Sequence, residues 1–430
     1  MAVDTPARIA VLGAGPIGLE AALYARFLGY DVDIYERGNV ADNILRWGHV
    51  RMFSPFGMNR STLGLAALRA QDRGYEPPSD DEFLTGLEYA DRYLLPLSQT
   101  DLLADHLKLG IEVVGVGRPE LLKGEEIGTD ERIDSDFRIL CRDRAGAEFV
   151  AAAEVVIDTT GVFGNPNWAG EGGLPAIGEK TVRDRIEYGV PDVLGSARSQ
   201  YANRKTLVIG AGYSAATTVV GLAKLAEEAP DTHVTWIVRQ TNEAEPISPV
   251  NDDRLPERAA LTVEANRLAS GASPNATFKS GTNLHSVKYD EATGKFRVRL
   301  AAEGEVGEAT AAEFDAIVAN VGCRPVNRIY QELQIHECYA TGGPMKLAVA
   351  LQGSSSGDCL TQTTHGPQSL VTPEPDFYIL GAKSYGRNPN FLVSIGREQV
   401  RDLFTIIGDR EDLDLYKTAV SLPSGEVDDQ

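Results

Sequence analysis

The 430-residue chain is 43% hydrophobic and 24% charged, ordinary globular proportions with room for two or three domains, each with a core of its own. Its formal net charge of −21 and pI near 4.8 argue against nucleic acid and anionic membrane surfaces as partners, since both need a basic face. Four widely spaced cysteines form no CxxC or CxxxxC pair, the first strand leaves no space for a signal peptide, and no apolar run is long enough to span a bilayer, so a reduced, cytoplasmic protein is expected.

In chain order, the apolar run Ile9–Leu12 leads into Gly13-Ala14-Gly15-Pro16-Ile17-Gly18, then a helix from Pro16 to Leu28 with Gly29 closing it. The strand Asp31–Tyr35 follows and ends in Glu36, about twenty residues beyond the glycines. Strand, glycine turn and helix form a cradle for a dinucleotide pyrophosphate, and a carboxylate at Glu36 suits a free ribose diol. The long stretch 43–109 has no counterpart later in the chain. It holds Arg46–Pro55 and an amphipathic run from Glu82 to Leu97, with Phe83, Leu84, Leu87, Tyr93 and Leu94 at helical spacing, and reads as a helical insertion forming a substrate-facing wall. A strand pair, Phe137 to Asp143 and Phe149 to Ala153, precedes the strand Val155–Ile157, which ends in Asp158-Thr159-Thr160-Gly161.

The second half repeats this order. Thr206–Ile209 runs into Gly210-Ala211-Gly212-Tyr213-Ser214-Ala215, a helix spans Ala215 to Glu227, and the strand His233–Val238 ends in Arg239. A guanidinium there suits the 2′-phosphate of NADP; the alternative is a solvated strand-end charge. A hairpin (Ser286 to Tyr289, Phe296 to Leu300) and the strand Ala316–Ala319, ending in Asn320-Val321-Gly322, complete the repeat, with the acidic stretch Ala301 to Glu313 read as a solvated tip. The last strand, Phe377–Leu380, meets Gly381 and the basic segment Lys383–Arg387, before a helix from Gly396 to Ile407.

These motifs resemble the two-dinucleotide-binding-domain flavoproteins, the pyridine nucleotide-disulfide oxidoreductase superfamily with its flavin-containing and Baeyer–Villiger monooxygenase branches. The resemblance implies an α/β protein of two Rossmann-like dinucleotide-binding domains, each a parallel sheet plus a β-meander, the second inserted in the first. It assigns 1–165 and 326–430 to an FAD-binding domain and 166–325 to an NADPH-binding domain. FAD would take Gly13, Gly15, Pro16, Ile17, Gly18, Glu36, Arg37, Arg46, Trp47, Gly161 and Gly381, with Arg46-Trp47 against the flavin. NADPH would take Gly210, Gly212, Tyr213, Ser214, Ala215 and Arg239.

Departures from the family choose among branches. The redox cysteine pair of the disulfide reductases is missing, which turns the reading away from dithiol chemistry by the usual route. Ala382 follows Gly381 where many members carry Asp, closer to the monooxygenases. The monooxygenase fingerprint histidine is missing too, since no His lies between His106 and His233. The resemblance then implies that NADPH reduces FAD, oxygen adds at flavin C4a, and one oxygen atom passes to a nitrogen, sulfur or carbonyl carbon of a small molecule. An NADPH-dependent reductase of a thiol, quinone or partner protein is the main alternative, and a redox-sensing flavoprotein without turnover a further one. Catalytic residues stay open: His49 is a candidate proton donor, and Cys338 with Cys359 a candidate redox pair. Trp47 reads equally as core. His336-Glu337-Cys338 lacks the second ligand pair that zinc needs, so no metal is expected. A homodimer is compatible with this reading.

Overall fold

The computed structural model describes residues 3–241, 245–302, 309–353, 360 and 363–420. The chain divides into two units. One comprises Met1–Leu45, Ser54–Asn165 and the described part of Arg324–Gln430; the other comprises Arg46–Phe53 and Pro166–Cys323. In chain order the strands are β1 (Arg8–Leu12), β2 (Asp31–Glu36), β3 (Leu107–Leu109), β4 (Glu112–Gly117), β5 (Phe137–Arg142), β6 (Glu148–Ala153), β7 (Val155–Asp158), β8 (Lys205–Ile209), β9 (His233–Ile237), β10 (Ala276–Lys279), β11 (Thr282–Asp290), β12 (Lys295–Ala302), β13 (Thr310–Phe314), β14 (Ala316–Ala319) and β15 (Phe377–Ile379). The helices that matter below are α1 (Pro16–Phe27), α2 (Thr62–Gln71), α3 (Tyr213–Glu228), α4 (Pro256–Ala269) and α5 (Val393–Ile407).

In the first unit the apolar runs of β1 and β7 sit inside a parallel sheet of order β15-β7-β1-β2-β3. Strands buried on both faces need continuous apolar sequence, which these have. The antiparallel meander β4-β5-β6 covers one face, burying Val116, Phe137 and Ile139 against Ala10, Leu12, Val156 and Phe377. The helix α1 stops where Gly29 takes a φ of +90°, which no other residue type adopts at so little cost.

The second unit repeats the plan with a parallel sheet β10-β9-β8-β14 and an antiparallel meander β11-β12-β13. Val208, Trp236 and Val318 pack with α3 and α4 on one face; Leu207, Ile209 and Ile317 pack with Leu284, Val298 and Phe314 on the other. The architecture is therefore two Rossmann-like units, each a parallel sheet plus a β-meander, the second interrupting the sequence of the first.

The expected helix at Glu82–Leu97 is present in altered form. Gly86–Tyr89, opened by a Thr85–Glu88 capping box, passes through a π-helical turn at Ala90–Leu94 into Leu95–Ser98. The π turn rotates the buried face: Leu84, Tyr89, Tyr93 and Leu97 are buried, whereas Leu87 is 48% exposed. The acidic tip is shorter than expected, because β12 continues to Ala302 and Thr310–Phe314 pairs as β13; its residues 303–308 lie outside the described ones. Among the described residues no helix is long and apolar enough to cross a membrane.

Candidate functional site

The glycines after β1 divide three tasks. Gly13 has a φ of +100° and packs on the Thr159 and Thr160 backbone. A Cβ at Gly18 would run into the Gly13 carbonyl, so this glycine lets α1 approach the turn. A Cβ at Gly15 would meet no heavy atom within 4 Å. That open space lies at the helix start, where Gly15 is the N-cap without a side-chain hydrogen bond, Pro16 follows it, and no acid sits in the first turn. Such a helix end presents unpaired N–H groups and a partial positive charge, suited to a phosphate. Ile17 is buried against Gly381 and Gly396.

Glu36, closing β2, anchors this turn. Its Oε2 accepts the Ala14 N–H at 3.0 Å and its Oε1 the Gly38 N–H at 2.7 Å. Each carboxylate oxygen retains a lone pair for a further donor. Arg37 is exposed, with its guanidinium against Gly164. At the neighbouring strand ends, Gly161 (φ +67°) follows β7 and Gly381 (φ +71°) follows β15. Thr159 Oγ1 donates to the Leu12 carbonyl at 2.8 Å, joining the β7 turn to β1. The Gly381 N–H donates to Gln399 Oε1 at 2.9 Å, tying the β15 turn to α5.

The second turn has the same division of labour. Gly210 (φ +135°) lies against the Asn320 carbonyl, Gly212 has open space at its Cβ position, and buried Ala215 stands where the first turn has Gly18. Trp236 Nε1 donates to the Gly210 carbonyl at 2.7 Å, and Asn320 Oδ1 accepts from Thr218 Oγ1 at 2.9 Å. The helix begins at Tyr213, two residues earlier than expected, because Gly212 serves as its N-cap; again no acid occupies the first turn. Ser214 and Arg239 are exposed.

Arg46 and Trp47, read with the first module, group with the second unit. The reason is local packing: Phe53 sets its ring edge-on to Tyr213 at 5.4 Å, and His49 faces Asp192. The Asp192 carboxyl is held low chiefly by the Ser196 N–H, with the His49 charge adding to it. Lys383, read as part of a basic segment after the last strand, is fully buried against Asp158.

Cys338 is buried in a turn whose Thr341 carbonyl accepts the Arg387 N–H at 2.9 Å. Hydrogen bonds from Thr341, side chain first and backbone next, lower its thiol pKa. Cys359, its expected partner, lies outside the described residues. The buried pair Asp158–Lys383 was missed by sequence reasoning, which carries no signal joining positions so far apart.

No family model matches the sequence, and no curated protein matches it. Solved structures match by fold. A bacillithiol disulfide reductase from Bacillus cereus aligns over 94% of this chain and 99% of its own, with a TM-score of 0.64 and 18% identity. The cadaverine monooxygenase of desferrioxamine biosynthesis from Erwinia amylovora, solved with FAD, aligns over 95% of this chain and 96% of its own, with a TM-score of 0.62 and 15% identity. An ornithine hydroxylase from Pseudomonas aeruginosa aligns over 94% and 99%, at 0.56 and 15%. The chain shares the fold of these disulfide reductase and monooxygenase structures.

Proposed function

We propose that the protein is an FAD-containing, NADPH-dependent oxidoreductase that oxygenates a small molecule at nitrogen, sulfur or a carbonyl carbon. The observation that carries the reading is the pair of open glycine cradles, at Gly15 and Gly212, each at an acid-free helix start and followed by a residue of opposite charge. Glu36 suits the adenosine ribose of FAD, and the exposed Arg239 guanidinium suits the NADPH 2′-phosphate. Gly13, Gly15, Pro16, Ile17, Gly18, Gly161 and Gly381 would shape the FAD site, with Arg37 at its rim; Gly210, Gly212, Tyr213, Ser214 and Ala215 would do the same for NADPH. Bound FAD supplies hydride acceptance and transfer of electrons to oxygen or another acceptor. The protein contributes phosphate neutralisation by helix ends, ribose recognition and a fixed turn geometry. Likeness to two hydroxylating enzymes of similar length supports a small substrate.

A second reading, reduction of a disulfide, is favoured by one observation: the Cys338 thiol is shifted toward thiolate by its Thr341 hydrogen bonds. One assay separates the two. Purified protein is mixed with NADPH, with and without oxygen, across amines, sulfides, ketones and disulfides. Oxygenation predicts NADPH consumption that needs both substrate and oxygen, with an oxygenated product. Reduction predicts anaerobic turnover with a disulfide, abolished by Cys338→Ser. Run with NADH in parallel, Arg239→Ala should weaken NADPH use at least tenfold and leave NADH nearly unchanged, since only NADPH carries the 2′-phosphate. Absence of bound flavin from the purified protein would reject both readings.

A further inference from the structure

The strands β15, β7 and β1 are neighbours, and each is followed within three residues by a glycine of positive φ: Gly381, Gly161 and Gly13. Behind this edge sits a charge pair with no exposure at all. Lys383 Nζ lies 2.5 Å from Asp158 Oδ2 and 3.0 Å from Thr160 Oγ1, with the Tyr330 ring 5.0 Å away on another side. Asp158 Oδ1 in turn accepts the Thr160 N–H at 3.0 Å and the Thr160 hydroxyl at 2.7 Å. Lysine, aspartate and threonine thus close a ring of hydrogen bonds, and the next residue is Gly161, whose Cβ position faces open space. Burial pulls the ammonium below its ordinary pKa while Asp158 pulls it back.

A buried ion pair is a poor device for stability, because the loss of two hydration shells offsets most of the attraction and apolar residues of the same size serve as well or better. What it supplies here is position. Thr160 donates twice to Asp158, from its N–H and its hydroxyl, and accepts once from Lys383, so the turn after β7 is fixed relative to the turn after β15. No comparable tether joins them through Ala382, which has no polar side chain.

We propose that Lys383 is a positioning residue of the flavin site: through Asp158 and Thr160 it holds the Thr160–Gly161 turn in the open form that receives FAD. The inference rests on the reading that FAD binds the first unit. The test uses the full-length apoprotein and FAD itself. Lys383→Met leaves Asp158 buried and unpaired, so the decisive variant is Asp158→Asn combined with Lys383→Met, which removes both charges and keeps a hydrogen-bonding side chain beside Thr160. FAD affinity is read by fluorescence titration, folding by the apoprotein melt and by NADP⁺ binding at the second unit, and the site by the flavin absorption band. The double variant should melt and bind NADP⁺ like the wild type, bind FAD at least about tenfold more weakly, and give a shifted flavin band. Wild-type affinity with an unchanged band overturns the proposal. Loss of the melt or of NADP⁺ binding makes the pair a support of the fold and overturns it equally. A wild-type apoprotein that takes up no FAD refutes the underlying reading instead, before any variant is made.

Discussion

A methyl group added at Gly15 would meet no heavy atom within 4 Å, whereas one added at Gly18 would run into the Gly13 carbonyl and the Thr159 hydroxyl. The two positions therefore separate binding from folding. Gly15→Val should keep stability within about 1 kcal/mol, as an N-cap change without a lost side-chain bond, yet yield colourless protein because the branched side chain fills the phosphate cradle. Gly18→Val should cost about 1–3 kcal/mol by overpacking. Thermal melts and flavin absorbance on the two variants check this, and a yellow Gly15→Val protein would refute the cradle. Both glycines, like Glu36, are legible in the sequence because their work is done within one βαβ unit. Lys383 is not: its partner lies 225 residues away, and a lysine beside other polar residues gives no sign that it points inward.

Between secondary-structure elements, one carboxylate does the work of a clamp. Glu374, just before β15, accepts from Arg118 at 2.9 Å, from Arg132 at 2.9 and 3.2 Å, and from the Gln334 N–H at 2.8 Å, with every side-chain charge buried. Arg118, which follows β4, also lies over the Phe137 ring at 3.8 Å, and burial pulls its pKa down. Glu374→Ala leaves two guanidinium groups buried without their counter-charge, and should cost about 3–5 kcal/mol; Glu374→Gln should cost less because hydrogen bonds survive. Denaturant unfolding measures both, and an Ala variant as stable as the wild type would mean that the arginines find other acceptors. The sequence hides this clamp because Arg and Glu are normally surface residues. It hides β4 and β13 for a different reason: Glu112–Gly117 is broken by glycines, and Thr310–Phe314 is too polar to read as a strand. The central parallel strands β1, β7, β8 and β14 were plain by contrast, since burial on both faces demands the unbroken apolar runs that stand out in a sequence, whereas the half-exposed parallel edge strands β3 and β10 gave no such run.

At the scale of the whole chain, each unit has its own sheet, meander and core. A ligand bound by one folded unit stabilises that unit by about 2.7 kcal/mol at a hundred times its Kd. Calorimetry should therefore show FAD raising one unfolding component and NADP⁺ the other, and equal displacement of both components by either ligand would refute the division of binding. The inserted order of the units has a further consequence, in the time domain of synthesis. β7 leaves the ribosome early, but β15, which pairs with it, is encoded near the far end of the chain. Until then Val155–Ile157 is an unpaired apolar edge, the kind of strand on which chains associate wrongly. Asp158 waits equally long for its ammonium. The sheet that is begun first is finished last, so the nascent protein's exposure to aggregation is set by the distance along the message between two adjacent strands.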